Sequence, residues 1–427
     1  SLQTYTTMPI HKSLSLDRRR AQDKKLQFTE NGKFQISVFS DLHFAEGAKI
    51  ASNNVSNILT MFIDEKADNK TASVMDSVLS SEQVQLVVLN GDLVSGEVTQ
   101  RSNSSLYIDQ IVAPLVDHDV LWASAYGNHD SDMNLDPEEM FLQEKTHPNS
   151  LTQNMVSGST AGITNYYLPV FPHEASASNH SIPELILWFF DSRGGHYVGS
   201  QNEDGQPIPR DNWIDEKVIE WFIKTNANLT TTYDREIPSL AFVHIPAYPM
   251  RAFQKSGVSP KTEPGINGER VQQQGYSPNT GYNSQDLPFI EALLNTTGLI
   301  ATFSGHDHDN DWCFKWNTKL PGLNVTGNGM NMCYGRHTGY GGYGDWARGG
   351  RQILLDEKLL GDEVQTWIRM EDGTISGAVY LNATYGHDRY DLAERSTSWQ
   401  SGDVSPQYVS TFYLWIVVLS VLISGIR

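Results

Sequence analysis

Two histidines separated by one residue form the last of several short motifs that could hold a metal ion. His306 and His308 follow an apolar run, residues 299–303, which predicts a buried strand that ends near Gly305. Side chains two residues apart in an extended chain project to the same side, so both imidazoles can reach one small volume. The glycine allows the backbone to turn sharply just before them. On its own the pair is weak evidence, because a single histidine is more often structural or exposed than a metal ligand.

The other potential ligands also lie within a few residues after predicted strands. Strand patterns cover residues 34–38, 84–89, 120–125, 185–190 and 240–243, and helical patterns cover residues 58–78, 106–116, 213–223 and 287–294. The groups that follow the strands are Asp41 with His43, Asp92, Asn128 with His129 and Asp130, and His244. Alternating strands and helices predict an α/β core with parallel pairing. Ligands bind at the carboxyl ends of such strands, so we expect the motifs to meet at one edge of a sheet.

These candidate ligands are carboxylates, imidazoles and an amide, with no thiolate among them. Such a mixture suits Mn, Fe or Zn. The set is too large for one ion that keeps an open position, whereas two ions about 3.5–4 Å apart would use all of it and leave room for a bridging water. Each motif also has a plainer interpretation, since Asn-Gly-Asp at residues 90–92 and Gly-Asn at residues 127–128 are common turns. Five such motifs in one order, each after an apolar run, favour the metal site.

The ordered motifs resemble the calcineurin-like metallophosphoesterase superfamily. They are Asp41-Leu42-His43, Gly91-Asp92, Gly127-Asn128-His129-Asp130, Val243-His244 and Gly305-His306-Asp307-His308, and the resemblance covers about residues 34–390. It implies a four-layer α/β/β/α sandwich with mixed sheets. It also implies that Asp41, His43 and His308 hold one metal ion, that Asn128, His244 and His306 hold a second, and that Asp92 bridges both.

A narrower resemblance connects the chain with secreted fungal and plant phosphatases related to the purple acid phosphatases. The similar segments are Trp312-Cys313 and Gly341-Gly342-Tyr343-Gly344. True purple acid phosphatases carry an iron-bound tyrosine after the second-motif aspartate, whereas Leu93-Val94-Ser95-Gly96 follows Asp92 in this chain. By the resemblance His43 fills the ligand role instead, so we expect no tyrosinate-to-iron colour.

The resemblance also implies a reaction. A hydroxide that bridges the metal ions would attack the phosphorus of a phosphate monoester in line, while His129 protonates the leaving oxygen and Asp130 orients His129. Arg193 could stabilise a substrate oxygen, although a surface arginine is the alternative interpretation. Two rival functions remain open: a phosphodiesterase acting on a lipid head group or a nucleotide, and a binding protein that has lost catalysis on the same scaffold.

Composition limits the compartment and the partners. The formal net charge of −19 argues against nucleic acid as the main partner. The two cysteines, Cys313 and Cys333, could form a disulfide or remain free thiols. The Asn-x-Ser/Thr glycosylation signals favour the secretory pathway, extracellular or membrane-anchored, and that compartment favours the disulfide. These signals begin at Asn54, Asn69, Asn103, Asn179, Asn228, Asn295, Asn324 and Asn382.

The predicted domain organisation is one large catalytic domain with flanking segments. Residues 1–32 read as a polar arm, residues 33–390 as the domain, residues 391–410 as a linker and residues 411–427 as an apolar tail. The tail predicts a membrane span, a lipid-anchor signal or a packed helix. Within the domain, residues 131–183 and 248–285 are predicted irregular insertions that shape the substrate cleft, and residues 351–355, 364–370 and 377–381 are predicted antiparallel strands.

Overall fold

The computed structural model describes residues 25–46, 57–173 and 182–390, and within them two large sheets are covered by helices. The strands are β1 (Leu26–Gln27), β2 (Lys33–Phe39), β3 (Leu86–Leu89), β4 (Trp122–Ser124), β5 (Tyr166–Phe171), β6 (Leu185–Phe190), β7 (His196–Gln201), β8 (Pro207–Pro209), β9 (Ser239–Val243), β10 (Tyr276–Ser277), β11 (Gly281–Tyr282), β12 (Leu299–Ser304), β13 (Cys313–Trp316), β14 (Met330–Tyr334), β15 (Gly349–Asp356), β16 (Val364–Met370) and β17 (Ile375–Leu381). The helices are α1 (Asn57–Ser81), α2 (Tyr107–Asp117), α3 (Pro137–Glu144), α4 (Glu216–Tyr233), α5 (Tyr248–Ser256) and α6 (Leu287–Leu294).

The first sheet has six strands in the order β17-β16-β15-β2-β3-β4. Strands β2, β3 and β4 are parallel, whereas β15, β16 and β17 pair antiparallel. Parallel neighbours need crossover connections, and α1 and α2 supply them. The carboxyl ends of β2, β3 and β4 therefore lie at one edge of this sheet.

The second sheet has seven strands in the order β1-β5-β6-β9-β12-β14-β13. Its central strands β6, β9, β12 and β14 run parallel, and antiparallel β5 and β13 flank them. Helix α4 connects β6 to β9, and α5 and α6 lie between β9 and β12 in the chain. The ends of β9 and β12 again lie at one edge.

The helices and the two sheets form four layers, and successive side chains along a strand pack into different layers. On β3, Val88 joins the core between the two sheets, where it shares a cluster with Phe242 of β9. The neighbouring Val87 faces the other way and packs in a separate cluster with side chains of α1 and α2. On the outer face of the second sheet, Trp188 packs against Phe222 of α4. The order helix, sheet, sheet, helix confirms the predicted four-layer sandwich with mixed sheets.

The expectation that all motifs meet at the edge of one sheet is wrong. The loops that carry Asp41, Asp92 and Asn128 follow strands of the first sheet, whereas those that carry His244 and His306 follow strands of the second. A linear pattern of alternating elements does not reveal where the chain leaves one sheet for another, because both sheets are built from the same kind of β-α units.

Several elements differ from the sequence prediction. The insertion at residues 131–183 contains α3 and β5, and the one at residues 248–285 contains α5 and the β10–β11 hairpin. Strands β13 and β14 escaped prediction because polar Lys315 and Asn331 interrupt their apolar runs. Helix α4 extends to Tyr233, beyond the predicted end at residue 223, and ends at the left-handed residue Asp234.

Regular structure also begins earlier than predicted. Leu26 of β1 pairs with Val170 of β5, and both Leu26 and Phe28 are buried. Part of the predicted polar arm therefore belongs to the second sheet. The predicted tail at residues 411–427 and linker at residues 391–410 lie outside the described residues, and the domain boundaries stay a prediction. Among the described residues, no helix combines the length and apolar character needed to cross a membrane.

The two cysteines form a disulfide. Cys313 of β13 and Cys333 of β14 are directly opposite partners in the antiparallel ladder, with 4.0 Å between their Cα atoms. The pairing confirms the disulfide that the glycosylation signals favoured. It ties the edge strand β13 to the strand beside β12, whose end carries two of the candidate histidines.

Candidate metal centre

Backbone turns at the strand ends direct the candidate ligands inward. Asp41, His43, Asp92 and His306 all adopt positive φ, at 58°, 49°, 51° and 77°. Residues other than glycine rarely adopt this backbone conformation, which costs on the order of 1–3 kcal/mol per residue and is concentrated at functional sites. Close packing adds to the constraint, because a Cβ atom on Gly91 would overlap the His244 ring.

Asp41, His43 and His308 form the first group of potential ligand atoms. One donor atom of each lies within 4.8 Å of the other two. The Nε2 atoms of His43 and His308 are 3.1 Å apart, and His308 Nε2 is 3.7 Å from Asp41 Oδ1. All three residues are buried. These are the residues that the resemblance assigned to one metal ion, and the fold brings them together from both sheets.

Asp92, His244 and His306 form the second group, again within 4.8 Å of one another. Asp92 Oδ2 lies 2.9 Å from His244 Nε2 and 3.8 Å from His43 Nε2, so this carboxylate faces both groups. Its other oxygen, Oδ1, accepts a hydrogen bond from the backbone N–H of His129 at 2.8 Å. Asp92 thus occupies the position between the groups that a bridging ligand requires.

Three buried polar atoms in this centre lack a hydrogen-bond partner among the described residues. They are Asn128 Oδ1, His244 Nε2 and His306 Nδ1. The 2.9 Å approach of His244 Nε2 to Asp92 does not have hydrogen-bond geometry. Buried polar atoms without partners are costly and rare in folded proteins. Bound metal ions are the partners that donors of this kind take, and carboxylate, imidazole and amide donors fit Mn, Fe or Zn. The residues present therefore fit the predicted cofactor.

Hydrogen bonds at the far side of each ring determine which imidazole nitrogen is free. His308 Nδ1 donates to the carbonyl oxygen of Tyr343 at 2.9 Å, and His244 Nδ1 donates to that of Asn90 at 2.9 Å. A carbonyl can only accept, so both Nδ1 atoms carry a proton. In the neutral rings, Nε2 then presents a lone pair to the centre, which is the arrangement of metal-binding histidines.

Burial keeps three of the histidines neutral. It lowers the pKa of His306 to about 3 and that of His308 to about 4, and it lowers the pKa of His43 well below its ordinary value. Burial alone would raise the pKa of Asp92, but His244, His129 and His43 outweigh it and hold that pKa well below the usual range. These neutral imidazoles and this ionised carboxylate are in the protonation states that metal binding requires. The other two titratable ligands shift the opposite way, because Asp92 raises the pKa of His244 to about 9 against the effect of burial, and burial raises the pKa of Asp41 to about 7.

His129 lies beside the ligands and is paired with a carboxylate that the sequence analysis missed. Its Nδ1 atom is 3.0 Å from Glu97 Oε2, and its ring centroid is 4.9 Å from that of His43. Burial would lower the pKa of His129, but Asp92 and Glu97 raise it to about 10. Glu97 lies five residues after Asp92 in the chain. An acidic residue this close to a ligand motif is the sequence signal that could have pointed to Glu97.

The expectation that Asp130 orients His129 is wrong. Asp130 Oδ1 accepts hydrogen bonds from the backbone N–H groups of Leu93 and Val94, and its Oδ2 accepts one from Gly127. Asp130 therefore fixes the backbone of two motif loops relative to each other. The side chain that contacts the His129 ring is Glu97.

The glycine-dense loop after β14 covers one side of the centre. The Tyr343 ring stacks on His308 at a centroid distance of 3.9 Å, and the Tyr343 hydroxyl contacts the Glu269 carboxylate at 2.8 and 3.0 Å. Gly342 must lack a side chain, because a Cβ atom there would overlap His308. His337, whose ring is 3.9 Å from that of His308, also lies here and was not singled out from the sequence.

Arg193 is buried rather than on the surface. Its side chain is 3% exposed, its Nε donates to the Trp213 carbonyl at 2.7 Å and its Nη1 donates to the Thr160 carbonyl at 3.1 Å. The carboxylates of Asp211 and Asp215 lie 3.5 Å from Nη1. The surface interpretation is therefore wrong. The predicted contact with substrate stays a prediction, and these donors support the fold around Trp213.

Most of the candidate residues border one open cavity of about 410 Å³. Its lining includes His43, Asp92, Asn128, His129, His306 and His308. Asp41 and His244 are not among its lining residues, and both are buried. The cavity therefore reaches the candidate metal centre from the side where His129 lies.

Comparison with known proteins places the chain in a family. The model of the calcineurin-like phosphoesterase family matches residues 34–310. An Arabidopsis thaliana protein named probable inactive purple acid phosphatase 29 is 29% identical over 380 residues, which cover 83% of this chain and 87% of that protein. Phosphatase DCR2 of Saccharomyces cerevisiae is 28% identical over 320 residues, 73% of this chain and 49% of that protein.

A crystal structure of a dimetal phosphatase from Danio rerio has a TM-score of 0.49 at 12% identity, and the match covers 82% of this chain and 98% of that one. The relatives confirm the resemblance to proteins related to the purple acid phosphatases. The family match spans more than half of the chain, including every motif from Asp41 to His308. The chain therefore belongs to the calcineurin-like phosphoesterase family.

Proposed function

We propose that this protein is a metal-dependent phosphatase that hydrolyses phosphate monoesters. The observation that carries the proposal is the convergence of three partnerless buried atoms, on Asn128, His244 and His306, with the Asp92 carboxylate. An environment of this kind costs stability unless an ion occupies it. The proton donor His129 at the same cavity adds the second component that phosphate-ester hydrolysis needs.

The residues of the centre divide into two sets of ligands. Asp41, His43 and His308 would hold one ion, and Asn128, His244 and His306 a second, with Asp92 shared. When bound, two such ions supply positive charge that acidifies a water molecule and neutralises phosphoryl oxygens. Iron, manganese and zinc all fit this donor set.

His129 moves the proton that the leaving group needs. Glu97 receives the Nδ1–H of His129, which fixes the ring and leaves the Nε2–H to be donated. Protonation of the ester oxygen as the bond breaks prevents the departure of an alkoxide, a contribution of about 10²–10⁴ in rate. Asp130 supports this step indirectly, because it holds the loop from Gly127 against the loop from Leu93.

A binding protein without catalysis is the second candidate. The words "probable inactive" in the names of the plant relatives favour it. Such a protein would retain ligands but lose the proton donor or the shared carboxylate. This chain has both His129 and Asp92, so we favour the enzyme.

Metal analysis combined with parallel assays tests the proposal. We expect about two equivalents of metal in protein purified without chelators, and faster hydrolysis of p-nitrophenyl phosphate than of bis-p-nitrophenyl phosphate. Faster hydrolysis of the diester would instead support a phosphodiesterase. Bound metal with no hydrolysis of either ester, after addition of Mn, Fe or Zn salts, would support the binding protein.

We also propose that the protein passes through the secretory pathway. The disulfide between Cys313 and Cys333 suits an oxidising compartment. Of the glycosylation signals in the described residues, those at Asn69, Asn103, Asn228, Asn295 and Asn324 are exposed. Loss of mass after treatment of the secreted protein with an N-glycosidase is the expected result. An unchanged mass would contradict glycosylation.

A further inference from the structure

A second cavity opens beside the metal centre. Its volume is about 400 Å³, and Asn128, His306 and Gln272 line both this cavity and the one that contains His129. A phosphate ester whose phosphoryl group lies at the metal centre could therefore extend its alcohol part into the second cavity. A volume of this size matches pockets that bind small molecules.

Residues with amide side chains form the largest class in the lining of this second cavity. They are Asn128, Asn212, Gln272, Gln273 and Asn283, and the lining also includes the aromatic residues Trp213 and Tyr276. We call this cavity the amide pocket. Its acidic and basic lining residues are Asp211 and Arg210, whose formal charges cancel. A pocket without net charge, rich in groups that both donate and accept, is suited to an uncharged polar ligand.

Gln273 lines the amide pocket, and the chain leaves its amide incompletely hydrogen-bonded. It is 2% exposed, and its Oε1 atom has no hydrogen-bond partner among the described residues. The neighbouring Gln274 is also buried, but it uses both ends of its amide. It accepts from Ile214 N at 3.3 Å and donates to Ile245 O at 2.9 Å. The contrast shows that this segment can satisfy a buried glutamine, and that Gln273 is left unsatisfied within the chain itself.

The wall around Gln273 is held in place by the rest of the fold. The backbone N–H of Gln272 donates to the Asp307 carboxylate at 3.0 Å. On the other side, Asn212 donates to the Tyr276 carbonyl at 2.9 Å and accepts from Gly275 N at 3.2 Å. The pocket is therefore formed before a ligand binds, which reduces the entropy that binding costs.

We propose that the amide pocket binds the alcohol part of the substrate, and that this part is an uncharged alcohol rich in hydroxyl groups, such as a sugar or a polyol. Each hydroxyl can donate one hydrogen bond and accept others, as the Gln273 amide can. Gln273 is then a specificity-determining residue. This inference rests on the proposed phosphatase function.

The test compares two esters in three proteins. The kcat/KM for glucose 6-phosphate is divided by that for p-nitrophenyl phosphate in wild type, in Gln273→Leu and in Gln201→Leu. Gln201 is an exposed glutamine of β7 that does not line the pocket, so it serves as the matched control. We expect the ratio to fall about tenfold in Gln273→Leu, mainly through KM, because one hydrogen bond to the sugar is lost. The control ratio should equal that of wild type.

A second variant covers the case in which Gln273→Leu fails to fold. Asn283 is an exposed residue of the same wall, and Asn283→Ala should lower the ratio severalfold while metal content stays unchanged. Equal ratios in all variants, with p-nitrophenyl phosphate still hydrolysed, would overturn the pocket assignment but leave the phosphatase proposal intact. A wild-type preference for a phosphoserine peptide over glucose 6-phosphate would overturn the sugar or polyol class. No hydrolysis of any ester by the metal-loaded protein would overturn the proposed function and this inference together.

Discussion

The two sheets contribute different chemistry to the metal centre. Loops after strands of the first sheet carry both carboxylates, Asp41 and Asp92, together with His43, Asn128 and His129. Loops after strands of the second sheet carry imidazoles, namely His244, His306 and His308. The first sheet therefore supplies the negative charge of the candidate centre together with neutral ligands, whereas the second sheet supplies only ligands that are neutral when they bind a metal. The centre is complete only where the two sheets face each other, so metal binding and the packing between the sheets must be linked.

Replacing the shared carboxylate should have the largest effect, because Asp92 faces ligands from both sheets. Asp92→Asn removes the negative charge that lies 2.9 Å from His244 and 3.8 Å from His43. We expect metal content and phosphatase activity both to fall to background. Elemental analysis and a p-nitrophenyl phosphate assay measure this, with the exposed Asp204→Asn as the matched control. Full metal content in Asp92→Asn would contradict its shared position.

Removing the proton donor should separate chemistry from metal binding. In His129→Ala we expect turnover of esters with poor leaving groups to fall about 10²–10⁴-fold, while metal content stays at the wild-type value. Glu97→Gln should give a smaller loss, about tenfold, because the ring remains but its partner at 3.0 Å is weakened. Wild-type turnover by His129→Ala with an alkyl phosphate would show that another group supplies the proton.

Two buried phenylalanines can test whether the centre depends on the packing between the sheets. Phe242 lies between the sheets and stacks on Phe303 with a centroid distance of 5.6 Å, whereas Phe289 lies between the second sheet and its helices. Each substitution by alanine should lower the free energy of unfolding by about 3–5 kcal/mol. Only Phe242→Ala should also weaken metal binding, measured by competition with a chelator. Equal metal affinities in the two variants would argue that the sheets hold the ligands independently.

The smallest expected effect is on the pH dependence of stability, through a carboxyl group that lies outside the candidate metal centre. Burial raises the pKa of Asp286 from 3.8 to about 6, although hydrogen bonds from Tyr282 and from the backbone of Tyr248 lower it in part. Between these values the folded state binds more protons than the unfolded state, so stability falls as the pH rises through this window. In Asp286→Asn, the decrease in the free energy of unfolding across this pH window should be smaller by up to about 3 kcal/mol.

Urea unfolding of wild type and Asp286→Asn at several values between pH 3.5 and pH 7 measures this difference directly. Any loss of metal in acid affects both proteins, so the comparison cancels it. A parallel pH dependence in the two proteins would show that Asp286 does not carry the shift.

Much of the site could be predicted because its ligands follow hydrophobic strands in short, ordered motifs. Asp41, Asp92 and His306 each lie within a few residues of the end of an apolar run. The order of the motifs along the chain is then enough to assign them to one site by resemblance. Glu97 was missed because its partner His129 is thirty-two residues away in the chain. The distances that join such residues depend on how the strands are placed, which a local pattern does not specify.

The irregular segments show the same limit. Gln273 and Gln274 are neighbours of one type in a segment that reads as a loop, and only the folded chain places Ile214 N and Ile245 O against one of them. The role of Asp130 was misassigned for the same reason, since its oxygens meet backbone N–H groups of a loop that precedes it by more than thirty residues.

The sequence by itself determined the residue types of the metal centre, the α/β class and the family resemblance, because ligand chemistry and strand periodicity are local properties of the chain. The tertiary structure alone decided that the ligands come from two sheets, that Glu97 pairs with His129, and that Gln273 is buried without a partner beside the centre. Those features depend on contacts between segments far apart in the chain, and such contacts form only when the sheets and the loops between them pack together.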